Sequence, residues 1–397
     1  MQGRRKQSWL IIVAIIFLAA NLRPAITGVG PLITAITHGT GLTPGVAGLV
    51  TTLPLISFGL VSPLAPKLAR ALGIERTLFV SLAVLLAGTL IRALGSAPWL
   101  LAGMLLAGAG IAVSNVLLPS LVKRDFPERI GLMTGLYTTI MNVFAGLASG
   151  LSVPLSHHFG LGWQGSLAAW GVLGVLGLIV WIPHLRERHL PSASNRGGFW
   201  RSPLAWEMTL FMGLQSFLFY VNVAWLPTLL HDRGLSLNLA GWLVSLMQII
   251  SLPGTFLVPI WAGRQRQQIS LVLAVALAFF MGYLGLLVTT NEAVTIICLV
   301  LVGFGAGASI SLALALFSLR TRHHEHAGQI SGMAQSVGYL LAALGPLTVG
   351  YLYTATHSWT WPILLLLAVV VIMAASGVGA GRDRFVDAPS ESPAEAL

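Results

Sequence analysis

The sequence predicts an all-α polytopic membrane protein, with twelve transmembrane helices grouped as two six-helix bundles. Three observations carry that prediction. First, 56% of the 397 residues are hydrophobic and only 9% are charged, against roughly 25% charged in soluble domains. Second, the charges cluster. No Lys, Arg, Asp or Glu occurs between Arg129 and Arg186, or between Glu325 and Arg382. Each gap has room for two apolar spans of about 20 residues and a turn. Third, the second half echoes the first. "GAGIAVS" from Gly108 aligns with "GAGASIS" from Gly305, and at the same offset "GLMTGLYTTIMN" from Gly131 aligns with "GQISGMAQSVGY" from Gly328. Internal duplication of a six-span unit is a transporter layout, with the substrate site between the copies near the bilayer midplane.

The first span, 9–37, is apolar but interrupted by "NLRPAITGVGPL" (21–32), which puts Arg23 and two prolines partway along it. The preceding "RRK" and apolar run imitate a signal peptide. A full-length counterpart in the second half argues that the span is retained. Spans at 42–66 and 77–95 flank a basic turn holding Lys67, Arg70 and Arg76. The fourth, 98–122, carries glycines 103, 108 and 110, and "KRDFPER" separates it from a fifth at 131–155. A sixth at 163–184 completes the first unit. "RERHLPSASNRGGF" (186–199) has the composition of a flexible linker. Spans at 203–230, 238–262, 269–288, 292–318, 327–353 and 358–380 form the second unit, where Gly303, Gly305 and Gly307 repeat the small-residue theme. Small residues let membrane helices approach closely, and prolines bend them. The terminal "APSESPAEAL" has no core-forming residues and reads as disordered. The expected division is an N-terminal bundle at 1–184, a cytoplasmic linker at 185–202, a C-terminal bundle at 203–380 and a cytoplasmic tail at 381–397.

The net charge of +10 does not point to nucleic acid. With the N-terminus inside, all of the 22 Lys and Arg residues except Arg23, Arg92 and Arg233 fall on the inner side. That is the positive-inside pattern. It predicts a multi-pass protein of the cytoplasmic (inner) membrane with both termini cytoplasmic and a lipid bilayer as surroundings. A monomer is the expected working unit. Cys298, the single cysteine, lies in an apolar run and excludes a disulfide framework. "HHEH" at 323–326 reads as a solvated loop, so neither metal nor other cofactor is implied. No nucleophile elbow, phosphate loop or HExxH motif is present, which sets an intramembrane enzyme behind a carrier.

An arginine at a helix centre costs about 2.5–3.5 kcal/mol on insertion scales. Arg23 therefore reads as a cavity-facing cation, against the alternative of a structural arginine capped by carbonyls. Thr27 shares its helix face. Tyr220 holds Arg23's place in the second unit. Gln215 and Asn222 lie on the same span, with Trp225 beyond them. Thr134, Thr138 and Asn142 form a stripe in span 5, which Ser331, Gln335 and Tyr339 repeat in span 11. Asn115 and Gln248 add single amides on spans 4 and 8. The competing reading for these is interhelical glue. Glu207, near the start of span 7, is a helix-terminus carboxylate and a candidate for proton coupling.

"LVTTLPLISFGLVSPLAP" (49–66), "NVLLPSLVKRDFP" (115–127), "RSPLAWEMTLF" (201–211) and "SGMAQSVGYLLAALGP" (331–346) resemble the cyanate-porter branch of the major facilitator superfamily, as does "LRP" at 22–24. The likeness runs from about Leu22 to Asp383. It implies the major facilitator fold and alternating access. The cargo it implies is a small molecule, either an anion such as cyanate or a nitroimidazole-like compound, with protons as a candidate coupling ion. Alternatives are a multidrug-type efflux carrier, a passive channel and an intramembrane enzyme. The resemblance also implies an inner gate after span 2. Leu68, Gly73 and Arg76 fit its signature, but Arg70 stands where the family has Asp. Asp125 or Glu128 is a candidate replacement.

Overall fold

The computed structural model describes residues 2–42, 44–186 and 199–386. Most of the expected linker and the acidic tail lie outside these residues. Among the described residues, twelve helices are long and apolar enough to cross a membrane. Spans 1 to 6 are Trp9–Leu32, Thr52–Leu72, Ile74–Ile91, Ala97–Asp125, Pro127–His157 and Gly162–Arg186. Spans 7 to 12 are Pro203–Asp232, Leu246–Arg264, Ile269–Val288, Glu292–Leu319, His324–Thr356 and Thr360–Ala380. Spans 4, 5, 6, 7 and 11 run further into the charged ends than hydropathy alone predicts, while span 1 stops at Leu32 and span 3 at Ile91, short of the expected 37 and 95.

Span 1 is not continuous. A helix ends at Asn21, a short one covers Pro24–Thr27, and a 3-10 turn covers Gly30–Leu32. Proline cannot donate to the ladder, so Pro24 and Pro31 begin new pieces. Asn21 ties the break to span 6 by donating from Nδ2 to the Leu173 carbonyl at 3.0 Å. Span 2 bends likewise through a 3-10 turn at Ser62–Leu64, after which the helix resumes at Ala65.

Within the bundles, glycine sets several crossings. A Cβ on Gly303 of span 10 would lie 2.6 Å from the Met247 carbonyl oxygen of span 8, so only glycine permits that approach. Buried cations brace the bundles as well. Arg92 follows span 3 and is fully buried, not exposed in an outer loop. Its guanidinium donates to the Ala25 carbonyl and, at 3.4 Å, to that of Leu167. Arg320 is bound by the Gln268 side chain, the Arg266 carbonyl at 2.7 Å and Asp383 at 3.3 Å.

The bundles meet where span 5 packs on span 8 and span 11 packs on spans 2 and 4. At the basic face the seam is shut by hydrogen bonds. Lys123 donates to the Ser318 carbonyl at 2.6 Å, and the Ser318 hydroxyl to the Pro119 carbonyl at 2.8 Å. Ser120 donates to the His324 carbonyl at 2.6 Å, and Ser336 to the Gly59 carbonyl at 2.5 Å. Span 5 reaches span 8 through Gly131, where a Cβ would overlap the Pro259 carbonyl oxygen. It does so again through Gly135, where a Cβ would come within 2.6 Å of the Phe256 carbonyl oxygen.

Candidate functional site

Arg23 sits between the two helical pieces of span 1 and caps the second, with φ −107°. Its side chain lines a cavity between the bundles. The guanidinium carbon lies 5.8 Å from the centre of the Phe219 ring, a cation–π distance. Nε is buried without a hydrogen-bond partner.

Opposite Arg23 stands span 7, with Gln215, Ser216, Phe219 and Tyr220 on the cavity. Gln215 Nε2 donates to the Met212 carbonyl at 3.0 Å and to Ser216 Oγ at 2.7 Å. Tyr339 of span 11 completes an aromatic wall and packs on Phe58, with ring centres 4.7 Å apart. Asn142 of span 5 and Gln248 and Ser251 of span 8 add polar groups, and Asn142 Nδ2 donates to Thr255 Oγ1 at 3.1 Å. Small and apolar positions on span 10, Ala306, Gly307 and Ile310, fill in the remainder. Among the residues lining this cavity, Arg23 is the only charged side chain, and no carboxylate or histidine joins it. The arrangement can hold one acceptor group on the guanidinium and a flat body against the aromatics.

Of the residues singled out from sequence, Arg23, Asn142, Gln215, Tyr220, Gln248 and Tyr339 line the cavity. Six do not. The Thr27 hydroxyl donates to the Arg23 carbonyl at 3.1 Å and to the Ala145 carbonyl at 3.0 Å, clamping the break to span 5. Thr138 turns back on its own helix, donating to the Thr134 carbonyl at 2.7 Å. Gln335 is fully buried and donates to Ser331 Oγ at 2.8 Å. Asn115 is buried in span 4 outside the lining. Asn222 and Trp225 face a separate cavity inside the C-terminal bundle. Two residues along a helix is about 200°, so Asn222 cannot share Tyr220's face. Phe219 and Ser251 were missed. Ser251 follows Gln248 by three residues, a same-face spacing that could have found it.

The inner-gate residues separate too. Arg70 and Arg76 are exposed, and Gly73 takes φ 89°, a left-handed conformation that favours glycine. Asp125 pairs with its neighbour Arg124 at 2.7 Å. The acid that sequence reading passed over is Glu75, at the start of span 3 and 1% exposed, which takes Arg124 at 2.6 Å. Trp181 Nε1 donates to the Glu75 carbonyl at 2.9 Å, drawing span 6 into the cluster. Glu207 lies past the first turn of span 7, half-buried against Gly379 of span 12. It is remote from the cavity lining.

Residues 9–346 match the Major Facilitator Superfamily. The chain is 50% identical over 387 residues to the uncharacterized transporter YycB of Bacillus subtilis (strain 168), covering 97% of this chain and 96% of that one. It is 40% identical over 386 residues to the 2-nitroimidazole transporter of Escherichia coli (strain K12), covering 96% and 98%. It is 26% identical over 351 residues to the cyanate transport protein CynX of the same organism, covering 86% and 89%. With twelve spans in two bundles around a central cavity, the chain belongs to the major facilitator superfamily and is a secondary transporter of a small molecule.

Proposed function

We propose that the cargo is a small planar anion, or a nitro compound of similar shape, recognised at its acceptor end by Arg23. The supporting observation is the cavity's charge: one guanidinium and no acid on the lining. A carboxylate or a nitro group presents paired acceptors that suit a flat fork of N–H donors, and cyanate presents one terminal acceptor to the same charge. The names of two relatives, a 2-nitroimidazole transporter and a cyanate transport protein, fit the same chemistry. The test is uptake and efflux in proteoliposomes with a panel of cyanate, benzoate, 2-nitroimidazole and the cation tetraphenylphosphonium. Transport of at least one of the first three, saturable and without the cation, is expected. Transport of the cation with indifference to the others would favour a multidrug-type carrier. A protonophore arm reads proton coupling, and loss of its effect in Glu207→Gln would attach coupling to that carboxyl.

In this reading the protein works as a monomer in the cytoplasmic membrane, with the basic face inward. The seam described above is then the closed cytoplasmic gate, and the cavity faces outward. A fluorescent-protein fusion after Arg382 is expected to light up in cells. A dark fusion with an active periplasmic phosphatase at the same joint would invert the topology.

A further inference from the structure

The C-terminal bundle holds a second cavity between spans 7, 9, 11 and 12. It shares no lining residue with the central one. It lies toward the end away from the basic face, because Trp359, which helps line it, immediately precedes span 12 there. Its walls are apolar: Leu226, Leu229, Leu286, Val349 and Leu366 among them. Aromatic rings close it, and their polar atoms are already engaged. Trp225 Nε1 donates to the Pro346 carbonyl at 2.8 Å. Trp359 Nε1 donates to Asp232 Oδ2 at 2.8 Å. The Tyr283 hydroxyl donates to Asn222 Oδ1 at 3.1 Å.

One polar atom is left over. Asn222 is 2% exposed, and its Nδ2 has no hydrogen-bond partner. A buried amide donor without an acceptor destabilises the fold that holds it. Water is a poor remedy, since an ordered buried water wants about three partners and these walls present one free donor. A single acceptor on an otherwise apolar molecule would satisfy the amide and leave nothing of its own unpaired. We propose that this cavity is a second ligand site, for a small neutral lipophilic molecule bearing one hydrogen-bond acceptor, such as an aryl ketone, held by Asn222 Nδ2. Residues 219 and 220 of span 7 wall the cargo cavity while 221 and 222 wall this one. An occupant here therefore presses on the helix that carries the aromatic wall of the transport site.

The probe is 4-fluoroacetophenone, with fluorobenzene as the acceptor-free control, read by fluorine NMR on the purified full-length protein. Saturable binding of the ketone is expected in the parent, and at least tenfold weaker binding of fluorobenzene. Asn222→Leu keeps the side-chain volume and removes the donor, and is expected to weaken the ketone at least tenfold. Leu366→Trp fills the cavity and is expected to abolish binding. Arg23→Ala is expected to leave it unchanged. Loss of the ketone in Arg23→Ala would place it in the cargo cavity instead and overturn the proposal. So would equal binding in the parent, Asn222→Leu and Leu366→Trp, or no saturable binding in the parent.

Discussion

Arg23→Ala is expected to lower affinity for an anionic or nitro cargo by about 100-fold, in line with the 2–5 kcal/mol that removing one partner of a buried charge pair costs. Among the described lining residues the guanidinium is the only charge, and its Nε has no hydrogen-bond partner among them. A bound acceptor therefore has no internal competitor to displace. Arg23→Lys separates charge from shape. The ammonium keeps the charge and loses the planar fork, so a nitro compound should weaken about tenfold more than a compact anion such as cyanate. Binding to purified protein is the measurement, since transport mixes affinity with cycling. Yield of Arg23→Ala should match or exceed the parent's, because a buried cation costs about 2.5–3.5 kcal/mol to place in a membrane helix. Parent-level binding by Arg23→Ala would make Arg23 a scaffold residue that merely braces the broken span.

Gly131→Val is expected to abolish transport without unfolding either bundle. A Cβ at this position would overlap the Pro259 carbonyl oxygen, a backbone atom that cannot swing aside. The contact lies between the bundles, so each bundle's own packing stays intact. Overpacking of this kind costs about 1–3 kcal/mol or more, and here the cost falls only on the state with the basic face shut. A penalty of that size shifts a two-state balance by roughly 10- to 100-fold. A Ser120→Cys reporter measures the shift. Ser120 is buried in the seam, and the native Cys298 is buried elsewhere. A thiol reagent should label the reporter slowly in the otherwise unaltered chain and quickly beside Gly131→Val. Slow labelling in both, with normal transport, would show that the seam does not gate the cycle.

Much of this architecture was legible in the residues. Charge-free gaps gave the spans, and the duplicated strings gave the pairing of halves. The same offset pairs Arg23 with Tyr220 and Asn142 with Tyr339, and all four line the cavity. What failed did so for local reasons. Threonines in helices can satisfy themselves on the preceding turn, as Thr138 does, so a polar stripe need not face water. Gln215 and Asn222 are seven residues apart, which looks like one face. Seven residues also climb about 10 Å, enough to leave one cavity and enter another. Glu75 was invisible for a different reason. Its partner Arg124 is distant in sequence, and only the packing of span 3 on span 4 brings them together. Glu128, by contrast, is exposed beside Arg129 and takes no part in the Glu75–Arg124–Asp125 cluster.

The bond from Asn142 to Thr255 has a consequence for how cargo and cycle are coupled. It crosses from span 5 to span 8, and Asn142 also borders the cavity. The Asn142 Nδ2 group has two N–H donors, so one can stay on Thr255 while the other serves a cargo acceptor. Thr255 is itself anchored, its hydroxyl donating to the Ser251 carbonyl at 2.9 Å. A cargo that reached Asn142 would therefore rest on a rivet driven through both bundles, and would bear on the two at once.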